Sequence, residues 1–331
     1  MSAKVPQIPV LVTQMEFDKA AAIFKAAAAH GLDCRPAPAD EHELAVAVSG
    51  SSARFVIVGA DLYSGPLYRA LPAGGVIARF GVGHDGVDKA LASARGILCT
   101  NTPGVLDDSV AEFTMALILS SARGLTQAAA ACQAGNWIMR LGTELRGKRV
   151  AIIGCGAIGC RVARIASLGF GLEVLGYSPR PRDTAALARD FGFACITTDF
   201  AGAVSAADWV SLHIPGNPST RHFMDAARLA LLKPGAWLIN TARGAVVDEL
   251  SLFDSLAAGR LGGAALDVFA QEPYVPAHPA KDLRTLKNVL MTPHLGSSTR
   301  EACDRMAARS LRNIALALAG KIEEMDLLNR L

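Results

Sequence analysis

An arginine, a glutamate and a histidine each stand shortly after an apolar segment in the second half of this 331-residue chain. The three residues are Arg243, Glu272 and His294. In open α/β sheets, ligands bind outside the carboxyl ends of the strands. If the three apolar segments are neighbouring strands, their charged side chains converge on one crevice.

Such a set is chemically sufficient to reduce a 2-keto acid with a nicotinamide. Arg243 would hold the substrate carboxylate with two hydrogen bonds and polarise the carbonyl. His294 would donate a proton to the carbonyl oxygen as the hydride arrives. Glu272 would accept a hydrogen bond from the second imidazole nitrogen and so fix the ring. Each residue alone also fits an ordinary structural role, so the prediction depends on the three together.

A glycine-rich turn is the second feature that could do chemistry. Gly154, Gly156 and Gly159 stand between an apolar segment and a helical pattern. The first glycine suits a tight turn, the second allows phosphates to approach the backbone, and the third allows the helix to pack on the strand. The helix amino terminus would then face the pyrophosphate charge. This run predicts a dinucleotide site.

The end of the next apolar segment bears on the choice of cofactor. It ends in Ser178, where a carboxylate usually binds the ribose of NAD. Arg180 and Arg182 follow, and arginine binds phosphate in a planar fork. The pattern favours NADP(H) over NAD(H). The alternative is that both arginines are solvated loop residues and that NAD binds without the carboxylate.

The elements that must position these residues alternate along the chain as apolar segments and helical patterns. Continuous apolar strands between helices are typical of parallel sheets covered on both faces. Strands are expected at 9–13, 55–58, 76–79, 97–100, 150–153, 173–177, 209–212, 236–239, 264–268 and 289–292. The spacing of the last six matches a dinucleotide-binding fold. The predicted fold class is α/β, with two doubly wound, Rossmann-like parallel-sheet domains.

Composition excludes several classes of protein. The length suits two domains, and 51% hydrophobic with 19% charged residues indicates a folded chain. A net charge of +3 without a long basic run predicts neither a nucleic acid nor a membrane as partner. No cleavable signal and no apolar stretch of about 18 residues is present. Seven cysteines without a CxxC pair predict no metal site and a cytoplasmic protein with reduced thiols.

Four motifs, in order along the chain, resemble those of the D-isomer-specific 2-hydroxyacid dehydrogenases. They are Gly-Cys-Gly-Ala-Ile-Gly at 154–159, Asn-Thr-Ala-Arg-Gly at 240–244 with Val-Asp-Glu at 247–249, Ala-Leu-Asp-Val-Phe-Ala-Gln-Glu-Pro at 265–273, and Thr-Pro-His-Leu-Gly at 292–296. The segments at 79–88 and 101–104 resemble the substrate loop and crossover of that family. The resemblance covers almost the whole chain.

The resemblance implies a discontinuous, flavodoxin-like substrate-binding domain made of residues 1–103 and 297–331. A dinucleotide-binding domain, residues 104–296, is inserted into it, and a cleft lies between the two. Arg243, Glu272 and His294 would be catalytic, and the backbone amides of Val82 and Gly83 would join Arg243 and His294 at the substrate. Further cofactor contacts are implied at Ala157, Ile158, Ile214, Pro215, Thr220, Thr241 and Asp267. A homodimer is implied as well, with Trp137, Met139 and Arg140 in the subunit contact.

The leading hypothesis is an NADPH-preferring reductase of glyoxylate, hydroxypyruvate or a related short 2-keto acid. An NAD-dependent 3-phosphoglycerate dehydrogenase is the second, disfavoured by the missing ribose carboxylate and by a chain that ends at Leu331 without room for a regulatory domain. A non-catalytic, dinucleotide-sensing binding protein is the third. The motifs leave the substrate side chain and the physiological direction open.

Overall fold

The computed structural model describes residues 7–180 and 184–330, which divide into two compact units. One unit contains the residues up to Leu106 together with those from Ser297 onward. The other runs from Asp107 to Gly296. The second unit is therefore an insertion in the first. Among the described residues, no helix is long and apolar enough to span a membrane.

Five strands form the sheet of the first unit. They are β1 (Ile8–Thr13), β2 (Leu32–Ala37), β3 (Phe55–Val58), β4 (Val76–Arg79) and β5 (Leu98–Thr100). Neighbouring strands are parallel, in the order β2-β1-β3-β4-β5, which is the flavodoxin-like order. The helices before the insertion are α1 (Gln14–Lys19), α2 (Ala21–Ala26), α3 (Glu41–Ser51), α4 (Pro66–Ala70) and α5 (Lys89–Ala94).

Seven parallel strands form the sheet of the second unit. They are β6 (Arg149–Ile153), β7 (Glu173–Tyr177), β8 (Phe193–Thr197), β9 (Trp209–Leu212), β10 (Trp237–Asn240), β11 (Gly263–Leu266) and β12 (Val289–Met291), in the order β12-β11-β10-β9-β6-β7-β8. Its helices are α6 (Asp107–Arg123), α7 (Leu125–Gln133), α8 (Ala157–Arg164), α9 (Thr184–Phe191), α10 (Phe200–Val204), α11 (Ala226–Leu231) and α12 (Glu249–Ala257). The chain then returns to the first unit, which contains α13 (Arg300–Leu318). The predicted fold class is confirmed.

The apolar segments are continuous because both faces of the sheet are covered. In β6, Ala151 and Ile153 belong to one buried cluster, and Val150 and Ile152 belong to another. Successive residues of a strand point to opposite faces, so a strand buried on both faces needs apolar residues at every position. Because both faces of the sheet are buried, its strands are held in place, and so are the ends after which the charged residues follow.

Two strands lie where the sequence predicted none. β2 and β8 are edge strands, each paired with a single neighbour. β2 carries Asp33, Arg35 and Pro36, which an edge strand tolerates because one side makes no ladder hydrogen bonds. A search for continuous apolar runs therefore misses β2, whereas the edge strands β5 and β12 lie at predicted positions.

Candidate active site

The strands that precede the three charged residues are consecutive neighbours in the sheet. β10 pairs with β11, and β11 pairs with β12, all in parallel. Their carboxyl ends therefore meet at one edge, and Arg243, Glu272 and His294 follow these three ends. The three strands are thus neighbours, as the predicted convergence of the three side chains requires.

His294 and Glu272 form a hydrogen-bonded pair at this edge. His294 Nδ1 lies 2.8 Å from Glu272 Oε2, and Glu272 Oε1 accepts the amide of Phe269 at 3.0 Å. Burial by itself would raise the pKa of Glu272, but the hydrogen bond and charge of His294, the Phe269 amide and the charge of Arg243 outweigh burial and lower it. An ionised carboxylate can only accept, so Nδ1 carries the proton of this contact. Nε2 is left for a substrate.

A buried carboxylate, Asp267, shapes the turn that carries His294. Its Oδ1 accepts the Thr292 hydroxyl at 2.6 Å and the Leu295 amide at 2.7 Å, and its Oδ2 accepts the Gly296 amide at 2.8 Å. Burial raises the pKa of Asp267 against these hydrogen bonds. His294 adopts a left-handed φ of 55°, which few residues other than glycine adopt. Asp267 therefore holds an unusual turn, a role that the sequence did not reveal beside its predicted cofactor contact.

The turn after β10 holds Arg243 through its own backbone. Asn240 Oδ1 accepts the Ala242 amide at 3.0 Å, and Asn240 Nδ2 donates to the Arg243 carbonyl at 2.9 Å. The Arg243 guanidinium donates to the Ala242 carbonyl at 2.7 Å through Nη1. Two of these contacts hold the backbone of the loop, and the third orients the half-buried guanidinium of Arg243 against that loop.

The turns that carry Arg243 and Glu272 are in direct contact. A side chain at Gly244 would overlap the backbone of Phe269 and Ala270, so only glycine allows this approach. The buried Glu249 accepts the Ala270 amide at 2.8 Å, and burial raises its pKa. Sequence reasoning missed Glu249 as a support of this turn. The signal that could have identified Glu249 is its position directly after Asp248, which caps α12.

The glycine run forms the turn from β6 into α8. Gly154 has a φ of 106°, and a side chain there would overlap the carbonyl of His213. A side chain at Gly159 would overlap the carbonyl oxygen of Gly154, whereas one at Gly156 would meet no atom within 4 Å. No side chain caps α8 at Gly156. The open space at Gly156 and the uncapped helix terminus fit a dinucleotide pyrophosphate.

Replacing Gly156 with alanine should leave stability unchanged and weaken cofactor binding. Its φ of −86° and ψ of −169° suit alanine, so the fold tolerates the methyl group. That methyl would crowd the phosphates, and overpacking costs about 1–3 kcal/mol, or roughly 5- to 150-fold in Kd. Gly159→Ala is the contrasting variant, because its methyl group collides with Gly154 and should lower the melting temperature. Calorimetric titration with NADPH and thermal unfolding measure both effects, and wild-type affinity in Gly156→Ala would contradict the assignment.

The other predicted cofactor residues lie in the same unit. Ala157 and Ile158 begin α8, and Ile214 and Pro215 follow β9. The Thr220 hydroxyl donates to the Pro215 carbonyl at 2.6 Å, which closes the loop after β9. The Thr241 hydroxyl, which follows β10, lies 2.9 Å from that of Thr114 on α6. Their contacts with a cofactor stay a prediction.

The residues that bear on cofactor choice follow β7. Ser178 is buried, and its amide donates to the Thr197 carbonyl at 3.1 Å. Arg180 is exposed. Arg182 lies outside the described residues. The preference for NADP(H) over NAD(H), expected from Ser178 and the arginines after it, stays a prediction.

A second histidine at this edge is unsuited to proton transfer near neutral pH. His213 follows β9, and its Nε2 lies 2.8 Å from the Ser211 hydroxyl. Burial of the ring lowers the pKa of His213 to about 3. It is therefore neutral at physiological pH, and His294 is the better candidate for the acid.

Val82 and Gly83 belong to the first unit, in the loop after β4. The carbonyl of Val82 accepts a hydrogen bond from Asn101 at 2.7 Å. Among the described residues, no acceptor receives the amide of Val82 or of Gly83. Two adjacent free amides form the kind of backbone site that binds an anion. Their predicted role toward a substrate carboxylate stays a prediction.

Comparisons with known proteins place the chain among dehydrogenases. A family model described as "D-isomer specific 2-hydroxyacid dehydrogenase, NAD binding domain" matches residues 115–296. A glyoxylate reductase of Thermococcus litoralis is 40% identical over 256 residues, 75% of this chain and 75% of that protein. A D-3-phosphoglycerate dehydrogenase of Methanocaldococcus jannaschii is 39% identical over 254 residues, 75% of this chain but 46% of that protein.

A solved structure extends the similarity to both units. It is an NADPH-dependent glyoxylate/hydroxypyruvate reductase from Sinorhizobium meliloti in complex with NADP and malonate. The TM-score is 0.81 with 30% sequence identity, over 95% of this chain and 94% of that chain.

Proposed function

The chain belongs to the D-isomer-specific 2-hydroxyacid dehydrogenase family and is an NAD(P)-dependent enzyme, and on this premise we propose that it reduces short 2-keto acids, such as glyoxylate or hydroxypyruvate, with NADPH. The observation that carries the proposal is the His294–Glu272 pair at the edge where Arg243 also lies. A proton donor fixed by a carboxylate, beside a guanidinium, suits a substrate that has a carbonyl next to a carboxylate.

In the proposed reaction, each of the three side chains has one task. The nicotinamide, when bound, supplies the hydride. Arg243 binds the substrate carboxylate and draws electron density toward the carbonyl oxygen. His294 transfers the proton on Nε2 to that oxygen, so the carbonyl becomes a hydroxyl and the imidazolium becomes neutral imidazole. Glu272 keeps the ring oriented through its hydrogen bond with Nδ1.

We assign substrate binding also to the amides of Val82 and Gly83. Their lack of an internal acceptor supports this role. Under this assignment, the first unit contributes to substrate recognition and the second unit binds the cofactor. The match of residues 115–296 to an NAD-binding domain supports the second half of the assignment.

The preference for NADPH rests on Ser178 and on the arginines after it. Serine removes the negative charge that would repel a 2′-phosphate, and the exposed Arg180 is available to bind one. The NADP held by the similar Sinorhizobium meliloti reductase also supports this choice. The alternative is NAD, which the description of the matching family model names.

Replacing Arg180 with alanine should weaken NADPH far more than NADH. A hydrogen bond to a charged group is worth about 1.5–3 kcal/mol, so we expect a roughly 10- to 100-fold rise in the KM for NADPH. Arg164→Ala, which removes another exposed arginine of the same unit, is the matched control and should change neither value. Steady-state titration of both cofactors measures the effect, and equal losses for both would defeat the phosphate contact.

A panel of short 2-keto acids, assayed with NADPH and NADH in parallel, tests the proposed function. We expect turnover of glyoxylate or hydroxypyruvate, with the higher kcat/KM for NADPH. Oxidation of 3-phosphoglycerate with NAD as the fastest reaction would favour the phosphoglycerate dehydrogenase alternative. No turnover of any substrate, together with tight NADPH binding, would favour the dinucleotide-sensing protein.

We further propose a homodimer in the cytosol. The segment after α7 exposes Trp137 by 93%, Met139 by 89% and Leu141 by 99%, and α7 itself has no buried residue. Such exposure of large apolar side chains supports a subunit contact there, with Arg140 beside them. All seven cysteines are unpaired, which suits a reducing compartment. Light scattering should give twice the mass of the chain, and Trp137→Ser with Met139→Ser should lower it.

A further inference from the structure

The loop after β4 is held from its carbonyl side. The Thr102 amide donates to the Gly81 carbonyl at 3.1 Å, and Asn101 Nδ2 donates to the Val82 carbonyl at 2.7 Å. Further along, Lys89 Nζ donates to the His84 carbonyl at 3.2 Å. In a planar trans peptide, the carbonyl and the next amide point in opposite directions. Fixing the carbonyls of Gly81 and Val82 therefore turns the amides of Val82 and Gly83 away from the protein donors.

Asn101 is fixed by residues from the other end of the chain. Asn313, fully buried on α13, donates to the Asn101 carbonyl at 3.3 Å and to Asp326 Oδ2 at 3.1 Å. The Asp326 amide donates back to Asn313 Oδ1 at 3.0 Å, and its carbonyl accepts the Asn101 amide at 3.4 Å. Arg309 donates to both carboxylate oxygens of Asp326, at 2.6 and 2.7 Å. A continuous set of hydrogen bonds thus runs from α13 to the Val82 carbonyl.

We propose that Asn101 is a positioning residue that orients the Val82 and Gly83 amides toward the substrate carboxylate, and that Asn313, Asp326 and Arg309 hold Asn101 in place. This inference rests on the proposed function, because it needs an anionic substrate at these amides. The network ends on the one carbonyl that sets the direction of the Gly83 amide. The C-terminal helix thereby controls affinity for the substrate.

The carboxylate is bound alike in the ground state and the transition state, because its charge does not change in the reaction. Losing a contact of this kind raises KM and leaves kcat nearly unchanged. Without the hydrogen bond from Asn101 Nδ2, the Val82–Gly83 peptide can rotate, and the Gly83 amide turns away from the substrate carboxylate. A residue that only stabilised the fold would lower the melting temperature without this split between KM and kcat.

Asn329 provides a matched control in the same unit. Like Asn101, Asn329 is 8% exposed and its side chain bonds to backbone. It accepts the Cys99 amide at 2.8 Å and donates to the Ile97 carbonyl at 2.9 Å. Among the described residues, its side chain bonds to Ser93, Ile97 and Cys99 and to none of residues 80–84, so its loss reports the cost of removing a buried amide alone.

The experiment compares Asn101→Ala, Asn101→Asp and Asn329→Ala as full-length proteins. For both Asn101 variants we expect a roughly 10- to 100-fold rise in the KM for glyoxylate, the loss associated with hydrogen bonds to a charged group, with kcat and the KM for NADPH nearly unchanged. Asn101→Asp keeps the side-chain volume if the alanine variant does not fold. Asn329→Ala should lower the melting temperature and leave the KM for glyoxylate unchanged.

Binding of oxalate to the protein with NADP, measured by calorimetry, separates this inference from the proposed function. Oxalate offers a carboxylate and no reducible carbonyl, so its affinity should fall in the Asn101 variants even where turnover is not measured. If wild-type protein reduces 2-keto acids but the Asn101 variants match Asn329→Ala in both KM and oxalate affinity, the inference is overturned and the function stands. If wild-type protein neither reduces a 2-keto acid nor binds oxalate, both are overturned.

Discussion

Replacing His294 with asparagine should lower kcat for 2-keto acid reduction by roughly 10²- to 10⁴-fold, the usual range for losing general acid catalysis. Asparagine has no group that can deliver a proton at neutral pH. It is also among the residues that best tolerate the left-handed φ of 55° at this position, so the turn on Asp267 should survive. The KM and Kd for NADPH should stay at their wild-type values.

The measurement is single-turnover and steady-state reduction of glyoxylate at saturating NADPH. Glu272→Gln is the informative comparison, because it keeps an acceptor for Nδ1 and removes only the charge, so its loss should be smaller. Unchanged turnover in His294→Asn would remove this residue from the mechanism. A large loss of NADPH affinity would instead indicate that the variant disturbs the cofactor unit.

The lowered pKa of Glu272 adds a dependence on pH. A carboxyl group whose pKa is lower in the folded state stabilises the fold above its ordinary pKa, and this stabilisation is lost as the pH falls through the lowered value. We therefore expect the difference in melting temperature between wild type and Glu272→Gln to shrink on acidification below the ordinary glutamate range. Thermal unfolding across pH measures it.

Replacing Arg243 with lysine should lower kcat/KM for 2-keto acids by roughly 10- to 100-fold, mostly through KM. Lysine keeps the positive charge but cannot reproduce the planar fork that binds a carboxylate at two points. In its half-buried loop, the guanidinium is oriented by the hydrogen bond that Nη1 donates to the Ala242 carbonyl at 2.7 Å. An ammonium group on a flexible stem would not keep that orientation.

Arg284→Lys is the control for this exchange. Arg284 pairs with Asp282 at 2.6 Å on the surface of the same unit, and exposed ion pairs contribute little to stability. Its kinetics should equal those of wild type. If Arg243→Lys were fully active as well, the substrate carboxylate would have to be bound elsewhere, and the free amides of Val82 and Gly83 would be the first place to look.

Most of the strands were predictable from the sequence because burial on both faces demands continuous apolar residues. β6, β7 and β9 to β12 all lie where such runs occur. The edge strands β2 and β8 were not predicted. The composition of β2 is mixed, with Asp33, Arg35 and Pro36 among apolar residues, whereas β8 is mostly apolar and partly exposed. β8 lies beside the residues that bear on cofactor choice, because its Thr197 carbonyl accepts the Ser178 amide at 3.1 Å.

The residues with chemical potential were predictable for a different reason. Arg243, Glu272 and His294 are charged or titratable groups placed directly after apolar strands, where no core position needs them. The glycines of the turn into α8 are equally visible, because each has a steric task that other residues cannot do. Residue type and spacing alone carried this part of the prediction.

What supports these residues could be decided only by the tertiary structure. The order β12-β11-β10 brings three strand ends together, Asp267 fixes the turn of His294, and Gly244 lies against the backbone at Phe269. Asn313 holds Asn101 across more than two hundred positions of sequence. The sequence by itself determined which groups are available and which local turns they occupy, since those follow from side-chain chemistry and backbone sterics. Their mutual orientation depends on contacts between segments far apart in the chain, which no local pattern records.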